Sequence, residues 1–298
     1  MSGASVLITG ASSGFGRLIA TTLAEAGHRV FAGMRAIDGR NADVAREIAA
    51  FPAEHPIVPV ELDVTDDASV QKAVRTVHDT AGQIDVCISN AGVMWLGNAE
   101  AYSVGQFEDI LQTNLIGPFR LYKAVLPGMR ARRDGLLITV TSIAGRAVAP
   151  GFGIYGAGKV ALETLTETLG YEVAGLGIDA VTVEPGPFPT TNLAASQRDP
   201  EDQDIVAAYG EFGRFRERIQ ENSRVVGAQH MDQMDPALVA NLIRDLIAMP
   251  KGARPVRQTV GIDFGLQEVN EASRRFQKGF LGALGVGDVE RPRREELA

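Results

Sequence analysis

Short apolar runs alternate with longer amphipathic stretches over the first two thirds of the chain, and this alternation constrains the fold more than any other feature. Strands covered on both faces are nearly all apolar, whereas the helices that cover them carry one apolar stripe. The pattern therefore predicts strand–helix–strand units and a parallel sheet. The expected strands are Val6 to Thr9, Arg29 to Ala32, Ile57 to Glu61, Val86 to Ser89, Leu136 to Val140, Ala180 to Glu184 and, later, Gln258 to Val260.

Helical periodicity fills the intervals between these strands. The expected helices are Phe15 to Ala26, Asn41 to Ala50, Asp66 to Ala81, Val104 to Arg130, Tyr155 to Ala174 and, with Asp235 as N-cap, Asp235 to about Met249. Pro118 lies inside the fourth helix and predicts a kink or a lost hydrogen bond. Pro185 to Pro189 holds three prolines and predicts irregular backbone. The fold expected is α/β, with a doubly wound parallel sheet of about seven strands and helices on both faces.

Length and composition narrow the class of protein. One domain over residues 1–298 is expected, because doubly wound sheets often reach this length as a single unit. The formal net charge of −8 argues against nucleic acid or an anionic membrane as a partner. The single cysteine, Cys87, excludes an intrachain disulfide, and neither a signal peptide nor a spanning helix is predicted. We expect a cytoplasmic protein. No metal site is expected, because the four histidines fit no zinc spacing.

A glycine-rich loop follows the first predicted strand and precedes the first predicted helix. It comprises Gly10, Ala11, Ser12, Ser13, Gly14, Phe15 and Gly16. Glycines allow a tight turn and a close approach to a pyrophosphate, and the N-terminus of the next helix offers free N–H groups. An ordinary turn is the alternative, but the strand before and the helix after are the context of a dinucleotide-binding loop.

The end of the second predicted strand bears on which dinucleotide would bind. Dinucleotide folds that take NAD place a carboxylate there for the ribose 2′-hydroxyl, but this chain has Arg35. A guanidinium suits a 2′-phosphate, and Ser13 adds a hydroxyl donor. Asp38 is close enough in sequence to contact the ribose instead. The pattern favours NADP(H) and leaves NAD(H) possible.

Polar and small residues also follow the third and fourth predicted strands. Asp63, before Val64, has a carboxylate suited to an adenine amino group, although it could equally cap the next helix. Asn90, Ala91 and Gly92 follow the fourth strand, where small residues would let a cofactor approach the backbone; an ordinary turn is the alternative.

Three side chains form the densest group of reactive chemistry. Ser142 follows a strand at the edge where open α/β sheets bind ligands, and Tyr155 and Lys159 are spaced to share one side of a helix. A nearby ammonium lowers the pKa of a phenol toward the range of a useful acid or base. The serine hydroxyl would hold a substrate oxygen while a nicotinamide transfers hydride. A tyrosine and a lysine at this spacing are common in helices, so the argument depends on the glycine loop and Ser142 being present too.

Together these motifs resemble the short-chain dehydrogenases/reductases, in the compact branch with a single Rossmann-fold domain. The resemblance covers about Ser5 to Thr190. It implies that Asn114, Ser142, Tyr155 and Lys159 form the family's catalytic tetrad, with Tyr155 as the acid/base and Asn114 holding a water linked to Lys159. It also implies that Asp63 contacts adenine, that Pro185, Gly186 and Thr190 bind the nicotinamide end, and that Tyr155 and Lys159 contact the cofactor.

The same resemblance extends to substrate and assembly. Residues 187–235 correspond to the family's substrate lid and residues 264–298 to a helical tail, whose last part, Arg291 to Ala298, is expected to fray. Aromatic residues in the lid favour a bulky, apolar carbonyl or alcohol, as in steroid- and retinoid-active members, although they are more often core residues. A homodimer or homotetramer is implied.

The function expected is therefore NADP(H)-dependent interconversion of a carbonyl and an alcohol. A dinucleotide-binding regulator without turnover is the main alternative, and the complete tetrad argues against it. An isomerase or dehydratase acting on nucleotide sugars is a third reading, for which the region after Pro185 is too small.

Overall fold

A computed structural model describes residues 3–289, so the predicted frayed end, Arg291 to Ala298, lies outside the described residues. Within that range the chain forms seven strands: β1 (Ser5–Thr9), β2 (Arg29–Met34), β3 (Val58–Glu61), β4 (Val86–Ser89), β5 (Gly135–Val140), β6 (Ile178–Pro185) and β7 (Arg257–Val260). The α-helices of the same range are α1 (Gly14–Glu25), α2 (Ala42–Ala49), α3 (Asp67–Ala81), α4 (Val104–Leu111), α5 (Gly117–Arg132), α6 (Gly153–Ala174), α7 (Gln203–Ala208), α8 (Phe215–Gln229), α9 (Ala237–Ala248) and α10 (Leu266–Ala283).

The strands form one sheet in the order β3-β2-β1-β4-β5-β6-β7, with every neighbouring pair parallel. The predicted doubly wound α/β fold is therefore confirmed. The chain moves outward from β1 to β3 and then returns to place β4 on the other side of β1. Ligands of such sheets bind beyond the carboxyl ends of the strands at this reversal.

Two hydrophobic layers cover the two faces of the sheet. Val6 and Ile8 of β1 point into the layer formed with α1 and α9, while Leu7 between them points into the layer formed with α3 and α5. This alternation is why the strands are apolar throughout: both of their faces are buried.

The predicted helix from Val104 to Arg130 is divided in the structure. A π-helical segment, Gln112–Ile116, separates α4 from α5, and Pro118 lies in the first turn of α5. A proline is tolerated there because the first N–H groups of a helix have no partner within it. The expected interior kink at Pro118 is therefore wrong, and the irregularity precedes the proline, at the segment that carries Asn114.

The prediction that all of Pro185 to Pro189 is irregular is also wrong at its first residue. Pro185 is the last residue of β6, where it pairs with Val260 of β7. Its missing N–H is tolerated because the pairing of β5 with β6 ends before it, at Val140 and Val183. The expected N-cap of α9, Asp235, is one residue too early, because Pro236 takes that position and the helix begins at Ala237. The Asp235 side chain nevertheless accepts a hydrogen bond from the Ala237 N–H at 2.9 Å.

The segment after β6 contains the helices α7 and α8. Phe188, at the start of this segment, is buried in the core, where its side chain is 7% exposed. Its ring makes an edge-on contact with Phe15, with 5.2 Å between the ring centroids. Phe212, by contrast, is exposed. Within residues 3–289, no helix is both long and apolar enough to span a bilayer.

Candidate active site

A cleft of about 320 Å³ opens beyond the carboxyl ends of β1, β2, β3 and β4, where the strand order reverses. Its lining includes Gly10, Ser12, Ser13, Gly14, Phe15, Arg35, Asp63, Val64, Asn90, Ala91 and Gly92. These residues come from four separate segments, and each segment directly follows a strand. The sheet therefore brings together most of the predicted cofactor-binding residues.

The glycine loop between β1 and α1 is held in a tight conformation. Gly10 has φ +71°, and a Cβ on Gly16 would lie 2.2 Å from the Gly10 carbonyl oxygen, so neither position accepts a larger residue without distortion. The Asn90 side chain donates to the Thr9 carbonyl oxygen at 2.9 Å, and the Thr9 hydroxyl accepts from the backbone N–H groups of Asn90 and Ala91 at 3.0 Å. The turn after β4 thus locks the loop after β1. Gly16 acts through this packing and lies outside the set of residues that line the cleft.

Two arginines lie at one end of the cleft. Arg35 follows β2, and its Nη1 atom is 4.0 Å from the Asp63 carboxylate, while Arg40 belongs to the same loop. Glu61 fixes this loop by accepting hydrogen bonds from the N–H groups of Ala36 and Ile37 at 2.8 and 2.9 Å. Asp38 is exposed and lies outside the cleft lining. Cationic groups therefore dominate the place where NAD-type folds carry a carboxylate.

Asp63 takes part in local structure as well as in the cleft. Its Oδ1 atom accepts from the Thr65 N–H and hydroxyl at 2.9 and 2.8 Å, which shapes the turn before α3. The cap of α3 is Asp66, whose carboxylate accepts from the N–H groups of Ala68 and Ser69. Asp63 is thus not the helix cap, although it orders the same turn.

Ser142, Tyr155 and Lys159 lie together behind the floor of the cleft. Ser142 ends the segment after β5, and its hydroxyl faces that of Tyr155, which is 3% exposed at the start of α6. Lys159 lies one turn further along α6, with its ammonium 5.8 Å from the centre of the Tyr155 ring. The same ammonium donates to the Val140 carbonyl oxygen at 3.2 Å, which ties α6 to the end of β5.

Asn114, in the π-helical segment, lies near Lys159. Its side chain accepts from the Val93 N–H at 2.9 Å and donates to the Val93 carbonyl oxygen at 2.8 Å. A Cβ added to Gly92, in the cleft, would lie 3.4 Å from Asn114 Oδ1 and 3.7 Å from Lys159 Nζ. Gly92 therefore lies between the cleft and the side chains of Asn114 and Lys159.

Burial controls the ionisation of the tyrosine–lysine pair. It raises the pKa of Tyr155 to about 12, partly opposed by the Ser142 hydroxyl, and lowers the pKa of Lys159 to about 8, partly opposed by Glu163. The pKa of Tyr155 is therefore raised overall and not lowered as expected, because loss of water acts against the charged form of both groups. A lysine pKa of about 8 places its proton near the range in which enzymes transfer protons.

Besides Gly16, Tyr155 and Lys159, three further predicted cofactor residues lie outside the cleft lining. Gly186 packs against the Ile262 carbonyl oxygen, Pro185 belongs to β6, and Thr190 is exposed. Thr191, Leu193 and Ser196 line the cleft in their place. Arg40 and Asn41 were also missed by sequence reasoning, because they lie several residues beyond the end of β2 and only the path of the loop returns them to the cleft. Thr113 was missed because it lies in the π-helical segment and not after a strand.

Hydrogen bonds join the segment after β6 to residues 94–96 of the loop after β4. The Ser196 hydroxyl accepts from the Met94 N–H at 3.0 Å, and the Ser196 carbonyl oxygen accepts from the Trp95 indole at 2.8 Å. Gln197 accepts from the Leu96 N–H at 2.8 Å and donates to the Leu96 carbonyl oxygen at 3.1 Å. Residues 196 and 197 thus close one side of the cleft against residues 94–96.

Comparison with known proteins assigns the family. The sequence matches the family described as short chain dehydrogenase over residues 4–202. The chain therefore belongs to the short-chain dehydrogenase/reductase family of oxidoreductases, which bind a nicotinamide dinucleotide and act on small molecules.

Individual relatives agree with this assignment. The oxidoreductase BOA17 of Botryotinia fuckeliana is 32% identical over 256 residues, which cover 86% of this chain and 88% of that protein. The glycine betaine reductase ATRR of Emericella nidulans is 32% identical over 211 residues, but the match spans only 16% of that longer protein.

Solved structures share the fold. A short-chain dehydrogenase from Streptomyces avermitilis has a TM-score of 0.75 at 31% identity, with 96% of this chain and 98% of that chain covered. An alcohol dehydrogenase from Thermococcus sibiricus, complexed with 5-hydroxy-NADP, has a TM-score of 0.67 at 24% identity and covers 87% of this chain and 96% of its own.

Proposed function

We propose that this protein is an NADP(H)-dependent oxidoreductase that interconverts a carbonyl and an alcohol, with Tyr155 as the acid/base. The observation that carries the proposal is the position of Gly92. This single residue, which has no side chain, lies between the dinucleotide cleft and the side chains of Asn114 and Lys159. A pyrophosphate would lie against Gly10 and Gly14 in the cleft lining, where the backbone carries no side chain, and Gly16 lets the loop pack tightly behind them.

The bound cofactor would supply or accept hydride, and the protein would handle the proton. The Ser142 hydroxyl would hold the substrate oxygen beside the Tyr155 hydroxyl, so that the developing charge is met by two donors. In reduction Tyr155 gives its proton to that oxygen, and in oxidation it removes one. The Lys159 ammonium would stabilise the phenolate, and Asn114 would order the path by which the proton is replaced.

The preference for NADP(H) over NAD(H) rests on Arg35 and Arg40. Both line one end of the cleft, Arg35 is half exposed, and the Asp63 carboxylate that faces it is 4.0 Å away, too far for a hydrogen bond. A 2′-phosphate would meet two guanidinium groups at this place, whereas a free ribose would find Arg35 at the end of β2, where NAD-binding folds place a carboxylate.

The immediate surroundings of Tyr155 are apolar. Tyr155 belongs to a buried cluster with Trp95, Tyr102, Ile110, Ala144 and Ile154, against which Val93, Met94, Phe107 and Phe152 pack. Together with residues 187–235 as a substrate lid within a single domain, this cluster favours an apolar carbonyl compound of some bulk. Phe188 is a core residue and takes no part in this argument. We propose a homodimer or homotetramer by analogy with the family.

The test is oxidation of NADPH and NADH by the purified protein with a panel of ketones and aldehydes. Tyr155→Phe should lower kcat about 10²- to 10⁴-fold while NADPH binding persists, as general acid–base catalysis of this kind predicts. Tyr171→Phe makes the same chemical change on the same helix, and it should leave kcat unchanged. NADPH binding without turnover in either direction would instead favour the regulator.

The cofactor preference has its own test. The double change Arg35→Ser with Arg40→Ser should raise KM for NADPH about 10-fold or more and leave KM for NADH nearly constant, since only the 2′-phosphate contacts are lost. Equal effects on both cofactors would refute the assignment of these arginines.

A further inference from the structure

A cluster of buried charged side chains lies beside the tyrosine–lysine pair and outside the cleft. Arg257 of β7 is at its centre, with its Nη1 atom 2.8 Å from Glu163 and 2.9 Å from Glu184, and it also pairs with Glu167. Glu163, Glu167 and Glu184 are 2, 7 and 0% exposed, respectively. Replacing such buried ion pairs with apolar residues is often neutral or stabilising, so stability alone does not explain this cluster.

Glu163 links this cluster to two parts of the proposed active site. It lies four residues after Lys159 on α6, and therefore on the same side of the helix. Its Oε1 atom packs against Gly145, where an added Cβ would lie 2.1 Å away. Gly145 ends the 3₁₀ turn Ile143–Gly145, which directly follows Ser142. One carboxylate thus contacts the turn that follows Ser142 and belongs to the helix that carries Lys159.

The ionised form of Glu163 is held by two guanidinium groups from different elements. Arg257 donates to Oε2 from β7, and Arg146 Nε, just after the 3₁₀ turn, lies 3.3 Å from the same oxygen. Burial and the nearby Glu184 carboxylate raise the pKa of Glu163, while Arg257 and Arg146 act in the opposite direction. The groups that face Glu163 are therefore Arg146, Arg257 and Glu184, besides Lys159 and Tyr155 on its own helix.

The charge of Glu163 acts on both members of the pair. It raises the pKa of Lys159, against the larger effect of burial, and it also raises the pKa of Tyr155. Glu167, two turns beyond Lys159, is held by the same arginine but contributes to neither shift. Glu163 and Glu167 therefore pair with the same arginine but differ in their electrostatic effect on Lys159.

We propose that Glu163, anchored by Arg257 and Arg146, is a positioning residue that keeps Lys159 protonated and holds the Ser142 turn against α6. Without this carboxylate, the buried lysine would lose its proton near neutral pH, and the phenolate of Tyr155 would lose its stabilising cation. The inference rests on the proposed function, because it concerns the same tyrosine–lysine pair.

The experiment compares Glu163→Gln with its matched control Glu167→Gln. The ionisation of Lys159 is followed by NMR in protein labelled with ¹³Cε-lysine, and its signal is assigned by its loss in Lys159→Met. Glu163→Gln should lower the Lys159 midpoint by about one pH unit, as expected for a carboxylate one helical turn away. Glu167→Gln should leave the midpoint unchanged, although it removes a contact to the same arginine. Equal shifts in the two variants, or no shift in Glu163→Gln, would overturn the proposal.

Two further variants keep the test decisive if Glu163→Gln does not fold. Glu163→Asp keeps the charge and should keep the Lys159 midpoint close to that of the wild type. Arg146→Met removes one of the two guanidinium groups that hold Glu163 ionised and should lower the Lys159 midpoint, so an unchanged or higher value would contradict the proposed anchoring.

The NMR titration needs neither substrate nor cofactor, so it separates this inference from the proposed function. A shifted midpoint without turnover on any ketone would support the inference and count against the reductase assignment. Turnover with an unshifted midpoint would refute only the inference.

Discussion

Removing the buried lysine of the proposed active site should make the protein more stable at neutral pH. Burial lowers the pKa of Lys159 from 10.5 to about 8. At about 1.4 kcal/mol per pH unit, keeping this ammonium charged inside the folded chain costs about 3 kcal/mol below pH 8. Lys159→Met removes this cost and keeps most of the apolar side-chain volume. It also loses the hydrogen bond to the Val140 carbonyl oxygen, at a cost of about 1 kcal/mol. The net gain expected at pH 7 is about 2 kcal/mol.

The sign of the pH dependence follows from proton binding. The folded chain binds the Lys159 proton more weakly than the unfolded chain, so the unfolded state holds more protons between pH 8 and 10.5. The free energy of unfolding of the wild type should therefore rise with pH through this window, relative to a chain without the amine. By pH 9.5 the advantage of Lys159→Met should have fallen by about 2 kcal/mol, to near zero.

The assay is urea unfolding at pH 7 and pH 9.5, with thermal unfolding as a second measurement. A gain of about 2 kcal/mol corresponds to about 4 °C in Tm for a chain of this size. Lys72→Met on the exposed face of α3 is the control, with an expected change within about 0.5 kcal/mol at both pH values. If Lys159→Met were destabilised equally at both pH values, the ammonium would not be desolvated, and the reasoning from burial would be wrong.

Three other changes test the packing of the fold. Gly16→Ala would place a Cβ 2.2 Å from the Gly10 carbonyl oxygen, so it should lower Tm and weaken NADPH binding by at least about 10-fold, measured by differential scanning fluorimetry and fluorescence titration. Gly279→Ala in α10, where nothing lies within 4 Å of the added atom, should instead raise stability by up to about 1 kcal/mol in the same thermal scan. Arg254→Ala should cost about 3 to 5 kcal/mol in urea unfolding, because it leaves Asp179 and the last carbonyl groups of α9 buried without their partner; a loss below about 1 kcal/mol would contradict this.

Much of the candidate site follows from the sequence because the residues concerned lie directly after strands. In a parallel sheet all of these ends meet at one edge, so Gly10, Arg35, Asp63 and Asn90 line one cleft as their positions predict. The prediction of cleft residues was less accurate in the segment after β6, which continues beyond the ends of the strands. Thr190 was favoured from the resemblance, yet Thr191 and Ser196 line the cleft, since residues 196 and 197 are held by hydrogen bonds to residues 94–96.

The sequence by itself determined the order of strands and helices, the glycine loop and the spacing of Tyr155 and Lys159, because these depend on local periodicity and on residue type. Only the tertiary structure decided which buried groups face one another. It placed the π-helical segment that carries Asn114 beside Gly92, and it brought Arg257 of β7 onto Glu163 of α6, which is 94 residues away in the chain. The same burial lowers the pKa of Lys159 and raises the pKa of Tyr155, because both charged forms lose their hydration. Loss of water is a property of the assembled core, and no local sequence pattern contains it.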